Sequence, residues 1–355
     1  MTKLSFPARH VAGGLAVATA LGIAGGALPA AAQETETVRI GHWSWPGYGF
    51  YYVAEAMDLA PGLEFEYTIV EDPVQLFGLL STGQLDIVLS TIEFGPIAAA
   101  EDMPVKLAAL TNLGYGSDRI IVHPDIGGAE DLRGETVAVL EGGLSQIYMA
   151  IWLEQNGVAW DEVDMVNLIA GDAAAAMISG QVAAAELWDP FGPQVLAELD
   201  GSRELSNSKE PYWLELALIA DAVFVADSFI EERGDIAVAA MDALFAGVEY
   251  WRENPTEANT VIAEKTGFSM ADVEGILGGE NNPEDGALYM YTLEEAARFC
   301  GVAEGDPPFG QSNGQMAEHW SLTNEWWMTF GLMTETVPPE DGVDCSLLGR
   351  AYAAG

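Results

Sequence analysis

The sequence predicts an α/β protein of two lobes followed by a helical extension, and three observations carry that prediction. Two successive stretches, 38–110 and 118–188, alternate short apolar strand patterns with helical ones, as βαβ units do. An apolar run at 220–225 then reads as a strand returning to the first set. Beyond residue 228 the periodicity turns helical and stays so, with Gly, Pro and Asn loops between the helices.

The elements follow in order. Val38-Arg39-Ile40-Gly41 opens the fold as a strand, and an aromatic, glycine-rich loop leads to a helix over 50–59. Alternation predicts a strand over 63–70, a helix over 73–80 closed by Thr82-Gly83, and a buried strand over 85–89. A helix over 95–101 and a strand over 105–110 complete the first set, which implies a mostly parallel sheet covered by helices. The second set has strands over 118–124, 136–140, 163–168 and 183–187. Its helices fall over 146–156 and 173–179. The remainder predicts helices over 236–251, 255–265, 269–277, 293–299 and 315–330.

The first 32 residues stand apart. Lys3 and Arg9 precede an apolar, Ala- and Gly-rich run, which ends at Pro29-Ala30-Ala31-Ala32 and switches to Gln33-Glu34. This is the n-region, h-region and A-x-A pattern of a secretory signal. A membrane anchor is the alternative, and the five glycines in the run together with the immediate A-x-A exit favour cleavage. The remaining length suits two α/β lobes of ordinary size, and no later apolar run is long enough to span a bilayer.

Charge excludes several partners. The chain carries 13 Lys+Arg against 55 Asp+Glu, a net charge of −42, two units more negative once Lys3 and Arg9 are removed. Nucleic acids and anionic membrane surfaces would be repelled. Screening in salty surroundings is the simplest account of such a surface, ahead of a specific cationic partner. The two cysteines, Cys300 and Cys345, suggest one disulfide in an exported chain, with two buried free thiols as the alternative. The histidines beyond residue 32, His42, His123 and His319, show no metal-ligand spacing, and no metal or cofactor is expected.

Four loops at the carboxyl ends of strands are candidate binding elements, because ligands of open α/β sheets bind there. Trp43, Trp45 and Tyr48 offer aromatic walls with hydrogen-bond donors, or a packed surface loop. Thr91 and Glu93 sit at a strand-to-helix junction, where Glu93 is either a ligand group or a first-turn acid. Glu141, Gly143, Ser145 and Gln146 flank a Gly-Gly turn whose amides suit an anion, or a turn with an N-cap serine. Trp188 and Asp189 precede Pro190, where Asp189 either accepts from a ligand or caps the next helix. Trp213 and Asp221 lie nearby in chain order. No nucleophile has a histidine at a suggestive spacing, and neither a P-loop nor a G-x-G-x-x-G follows a strand, so no catalytic residue is assigned.

These loops, taken in order, resemble the ABC-transporter substrate-binding proteins of the taurine/aliphatic-sulfonate/nitrate group. The likeness runs through Val38-Arg39-Ile40-Gly41, Tyr52-Val53-Ala54-Glu55-Ala56 and Gly83-Gln84-Leu85-Asp86-Ile87. It continues through Met103-Pro104-Val105-Lys106, Asp131-Leu132-Arg133-Gly134-Glu135-Thr136 and Trp188-Asp189-Pro190. It is good over about 38–250 and loose beyond. The resemblance implies a two-lobed periplasmic binding protein type 2 (Venus-flytrap) fold with two crossing strands, near 116–121 and 220–225. The implied lobes are 33–117 with 223–355, and 118–222. It implies a monomer in the periplasm that delivers a small molecule to a permease and its ATPase.

Where members of that group place hydroxyl residues for a sulfonate, this chain has Ile92, Glu93, Gly143 and Leu144, whereas the acid that would meet a taurine amine matches at Asp221. An acidic, aromatic mouth suits a nitrogen-bearing solute, an amine or a taurine-like zwitterion held by backbone amides at its acidic end. Two other readings stand. One is a pyrimidine-type precursor-binding protein or enzyme on the same fold, and the other is a ligand sensor for a membrane receptor.

Overall fold

A computed structural model describes residues 35–355 apart from 281, 283 and 284, so the expected export segment at 1–32 lies outside the described residues. Eleven strands form two sheets. In chain order they are β1 (Glu36–His42), β2 (Leu63–Ile69), β3 (Ile87–Thr91), β4 (Val105–Gly114), β5 (Asp118–Val122), β6 (Thr136–Val139), β7 (Asp164–Asn167), β8 (Ala184–Trp188), β9 (Arg203–Asn207), β10 (Ala220–Ala226) and β11 (Leu288–Met290). The first sheet has the order β11-β4-β10-β3-β1-β2 and the second β7-β6-β8-β5-β9. The chain therefore passes from the first sheet to the second between Gly114 and Asp118, and returns between Asn207 and Ala220.

The four strands of the first set, β1 to β4, run in one direction as expected, but later strands make the sheet mixed. β1 is parallel to β2 and β3, but β10 is antiparallel to both β3 and β4, and β11 is antiparallel to β4. The reason is topological. Only strands joined by a helical crossover must run parallel, and β10 enters from the other sheet, in the opposite direction. The 222/223 boundary expected between lobes falls inside β10, so Asp221 stands on the first sheet.

Local sequence explains most elements. Val38 and Ile40 point into the first core, while Arg39 between them faces Asp86, which accepts from both its backbone and its guanidinium. Asp72 caps the helix Pro73–Ser81 by accepting from Val74 N at 2.9 Å, with Pro73 at its first position. The predicted helix over 236–251 is part of a longer one, Asp227–Glu253, broken by non-helical angles at Arg233 just before Gly234. That helix crosses the helix Phe50–Ala56 so closely that a Cβ on Gly247 would lie 2.3 Å from the Phe50 carbonyl oxygen. Helices at Phe191–Glu198, Pro211–Leu216 and Ser346–Ala354, and the strands β9 and β11, were not evident from periodicity. Each is short. One apolar core underlies the first sheet, and two smaller ones lie on the two faces of the second.

Cys300 and Cys345 form the expected disulfide, joining the end of the helix Leu293–Phe299 to the start of Ser346–Ala354. Among the described residues, no helix is long and apolar enough to cross a membrane.

Candidate functional site

Asp221 is the centre of the best-formed constellation. Register places it opposite Thr91 of β3 and Asn112 of β4. Its carboxylate accepts from Trp45 Nε1 at 3.1 Å, Tyr48 Oη at 3.0 Å and Asn112 Nδ2 at 2.9 Å. All three donors are neutral, and burial pushes the Asp221 carboxyl up to about 6 in spite of them. The loop after β1 achieves this through a tight turn at Pro46–Tyr48. A Cβ on Gly47 would meet Trp45 Nε1 at 2.6 Å, so only glycine lets the indole fold back onto Asp221. Trp43 rests edge-on against Tyr48, ring centroids 5.3 Å apart.

Glu93 stands beside this group. It is fully buried, its Oε1 accepts from Thr91 Oγ1 at 2.8 Å, and its Oε2 has no partner. Burial, reinforced by Asp221, raises its carboxyl to about 8. It occupies the N-cap position of the helix Phe94–Ala100 but makes no capping bond there. Instead the backbone N–H of Leu144, in the first turn of the helix Leu144–Gln155, acts on its carboxylate.

The Gly-Gly loop differs from an open anion nest. Gly142 N donates to Gln146 Oε1 at 2.9 Å, Gly143 N to Leu140 O at 3.1 Å, and Leu140 N to Ser145 Oγ at 2.6 Å. The two glycine amides, the serine hydroxyl and the glutamine oxygen therefore close their own loop. Glu141 is exposed. With Gln146 it lines a cavity of about 340 Å³ alongside Trp160, Asn167 and Phe330. Glu141 and Gly143 also border a second cavity of about 290 Å³, where the loop faces Pro73, Val74 and Phe94. Neither cavity is lined by Trp45, Tyr48 or Asp221.

Asp189 does not cap the helix Phe191–Glu198. It pairs with Arg119, which also reaches Glu204 at 3.1 Å. Burial raises the Asp189 carboxyl and Arg119 opposes the rise. Trp188 is half-buried against Phe191. Trp213 is turned away from the site: its Nε1 donates to Ser206 Oγ at 3.0 Å and its ring packs on Tyr148 inside the second core. Chain proximity does not bring Trp213 to Asp221, because Trp213 packs into the second core, while Asp221 stands on β10 of the first sheet.

The structure adds residues that the sequence reading passed over. Asp118 accepts from the Ser117 hydroxyl, and burial with nearby Asp221 and Asp189 brings it to about 7. Glu186, opposite Ile120 in the β5–β8 register, shares a face with Asp118. Burial first, and then Asp118, push its carboxyl well above the usual range. A lone acid in an otherwise apolar strand, Ala184-Ala185-Glu186-Leu187, was the available signal. Burial first, and then Asp221, Glu93 and Asp118, push the Tyr48 phenol well above its usual range.

Two α/β sheets, each the core of a lobe, with the chain crossing twice between them and buried polar groups at the crossings, make up the two-lobed periplasmic binding protein fold. Residues 46–258 match the family described as NMT1/THI5 like, and the chain belongs to that family. It is 22% identical to the formylaminopyrimidine-binding protein of Halalkalibacterium halodurans, over 87% of this chain and 89% of that one. It is 24% identical to the taurine-binding periplasmic protein of Escherichia coli, over 61% of this chain and 67% of that one. In structure it is similar to the periplasmic aliphatic sulphonate binding protein SsuA of Escherichia coli, with a TM-score of 0.68 and 17% identity, covering 88% of this chain and 92% of that one.

Proposed function

We propose that this chain is the exported, periplasmic binding component of an ABC importer, and that it holds a small nitrogen-bearing organic solute between its lobes. The single observation that carries the reading is the buried acid group at Trp45 and Tyr48. Asp221 has only neutral donors, and Glu93 keeps one oxygen without a partner. A cationic or proton-donating ligand would satisfy both, and flat aromatic walls would stack on it. A bare sulfonate would meet Glu93, Asp118 and Asp221, while the Gly142 and Gly143 amides that would hold it are engaged in their own loop. The names of the relatives support a small-molecule ligand, and the formylaminopyrimidine relative favours an aminopyrimidine or amine over taurine.

Binding proceeds without turnover in this reading. His42 is engaged by Trp43 O and Tyr52 Oη, and His123 lies 3.7 Å from Asp125, so neither serves Ser145. The solute would close the lobes by touching both, and the closed form would dock on the permease.

A thermal-shift and calorimetric panel tests this: formylaminopyrimidine, choline-like amines, taurine, an alkanesulfonate and nitrate. An amine or aminopyrimidine at about 100 times its Kd should stabilise the protein by about 2.7 kcal/mol. Asp221→Asn should weaken that ligand roughly 10- to 100-fold, by removing a buried charge-assisted acceptor. Stabilisation by simple anions alone, or unchanged binding in Asp221→Asn, would refute the reading.

A further inference from the structure

The helix Met316–Phe330 belongs to no strand crossover, yet it reaches both lobes. Its 15 residues extend about 22 Å at 1.5 Å per residue. Met316 and Trp320 are buried in the core of the first sheet, and Trp327 in a core of the second. Trp327 Nε1 donates to the main-chain oxygen of Glu93 at 2.9 Å, so the helix also holds the residue whose carboxyl faces Leu144.

Between those anchors lies the return crossing. Gln311, Gln315 and His319 recur at intervals of four residues, and each presents a nitrogen to a carbonyl of that segment. Gln311 Nε2 donates to Leu214 O at 2.7 Å, Gln315 Nε2 to Glu215 O at 2.7 Å, and His319 Nε2 to Leu218 O at 3.4 Å. Burial lowers His319 to about 4, so the ring is neutral and the bond carries no charge at neutral pH. Within the gripped segment Ala217 has left-handed angles, φ 51° and ψ 33°. An alanine keeps that conformation only when its surroundings impose it. The outward crossing is held elsewhere, by the residue that precedes β11: Tyr115 N and Ser117 N both donate to Ala287 O, at 2.7 and 3.1 Å.

Hinge motion requires φ and ψ to change in the few residues that cross between lobes, and here the return crossing is hydrogen-bonded to this helix and to the residues leading into it. We propose that the helix Met316–Phe330 and the residues leading into it act as a clasp. It sets how far the lobes stand closed when no solute is bound, and Trp327 positions Glu93 as part of the same tie. The clasp stands independently of which solute the protein takes.

The test is ligand-free pulsed-EPR distance measurement on the full chain, with spin labels at Ile69→Cys and Ile169→Cys. These are exposed positions on the first and second sheets' sides, and the only native cysteines are disulfide-bonded. Gln315→Ala with Trp327→Phe removes two donors while keeping the aromatic ring. The parent protein should give one dominant distance, the lobe separation that the clasp sets and from which the solute closes the lobes further, with a longer-distance form as the minor population. The double variant should raise the long-distance population several-fold. Should the double variant fail to fold by circular dichroism, Trp327→Phe alone is measured in the same way. Tyr250→Phe, which removes an exposed bond to Glu257 far from the crossings, serves as control. Distributions that superimpose for folded clasp variants and the parent, or equal opening in the control, would overturn the proposal.

Discussion

Glu93 shows how one residue couples the site to proton concentration. Burial raises Glu93 to about 8, Asp118 to about 7 and Asp221 to about 6, all above the values of an unfolded chain. The folded protein therefore binds protons that the unfolded chain releases. The stability linked to these groups is fully present below about pH 4 and is lost as pH rises through about 8. The ligand-free protein should melt at progressively lower temperature from about pH 5 to pH 9. Glu93→Gln, which mimics the protonated carboxyl, should flatten that profile, matching the parent's melting temperature only near pH 4, where the carboxyl is protonated in both folded and unfolded states, and exceeding it at higher pH. Melting curves across the range would show this, and identical slopes for both proteins would mean that Glu93 is not held protonated. The sign also bears on binding. A cationic solute favours the ionised carboxyls, so its capture should release protons near neutral pH. Of the residues in this group, Glu93 was visible in the sequence because it follows a predicted strand, and Asp221 through the resemblance to taurine-type binding proteins. Asp118 and Glu186 were not, because a single acid inside an apolar strand gives no periodic signal until its cross-strand neighbour is known.

At the scale of elements, the C-terminal region depends on one covalent tie. The Cys300–Cys345 bridge closes a loop of 45 residues in sequence separation. Chain-entropy arguments give about 4 kcal/mol of stabilisation for a loop of that size, with measured cases commonly about 2–4. The helix that Cys345 begins packs its Leu347, Leu348 and Ala351 into the first core and pairs Arg350 with Asp235, and the bridge adds a covalent tie to that packing. Reduction should lower the melting temperature by several degrees, and a Cys300→Ser/Cys345→Ser variant should melt at that lower temperature with or without reductant. A melting point indifferent to reductant in the parent protein would show that packing alone holds the helix. The pairing was accessible from cysteine count and export. The short elements around it were not, since a nine-residue helix and a three-residue strand contain too few turns or alternations to rise above the background.

Over the whole molecule, 55 acidic against 13 basic residues repel one another, and the ion pairs present are mostly at the surface. Added salt screens that repulsion over about 10 Å at 0.1 M and about 3 Å at 1 M. Thermal stability should therefore increase steadily from low salt to molar sodium chloride, as read by calorimetry, and a flat or falling curve would exclude self-repulsion as a significant cost. The sequence alone determined the two successive α/β sets, the helical remainder, the cysteine pair and the loops that carry Trp45, Tyr48 and Glu93. Those features rest on local periodicity, turn chemistry and the ends of strands, which a chain carries in its own order. Only the tertiary structure decided that β10 runs antiparallel between β3 and β4, that Trp213 serves a core, and that Arg119 neutralises Asp189. It also decided that the Gly142–Gly143 amides are engaged in their own loop, and that the helix Met316–Phe330 grips the return crossing. Each of these depends on which distant segments share a surface, and local pattern does not encode the partner across a sheet or a hinge.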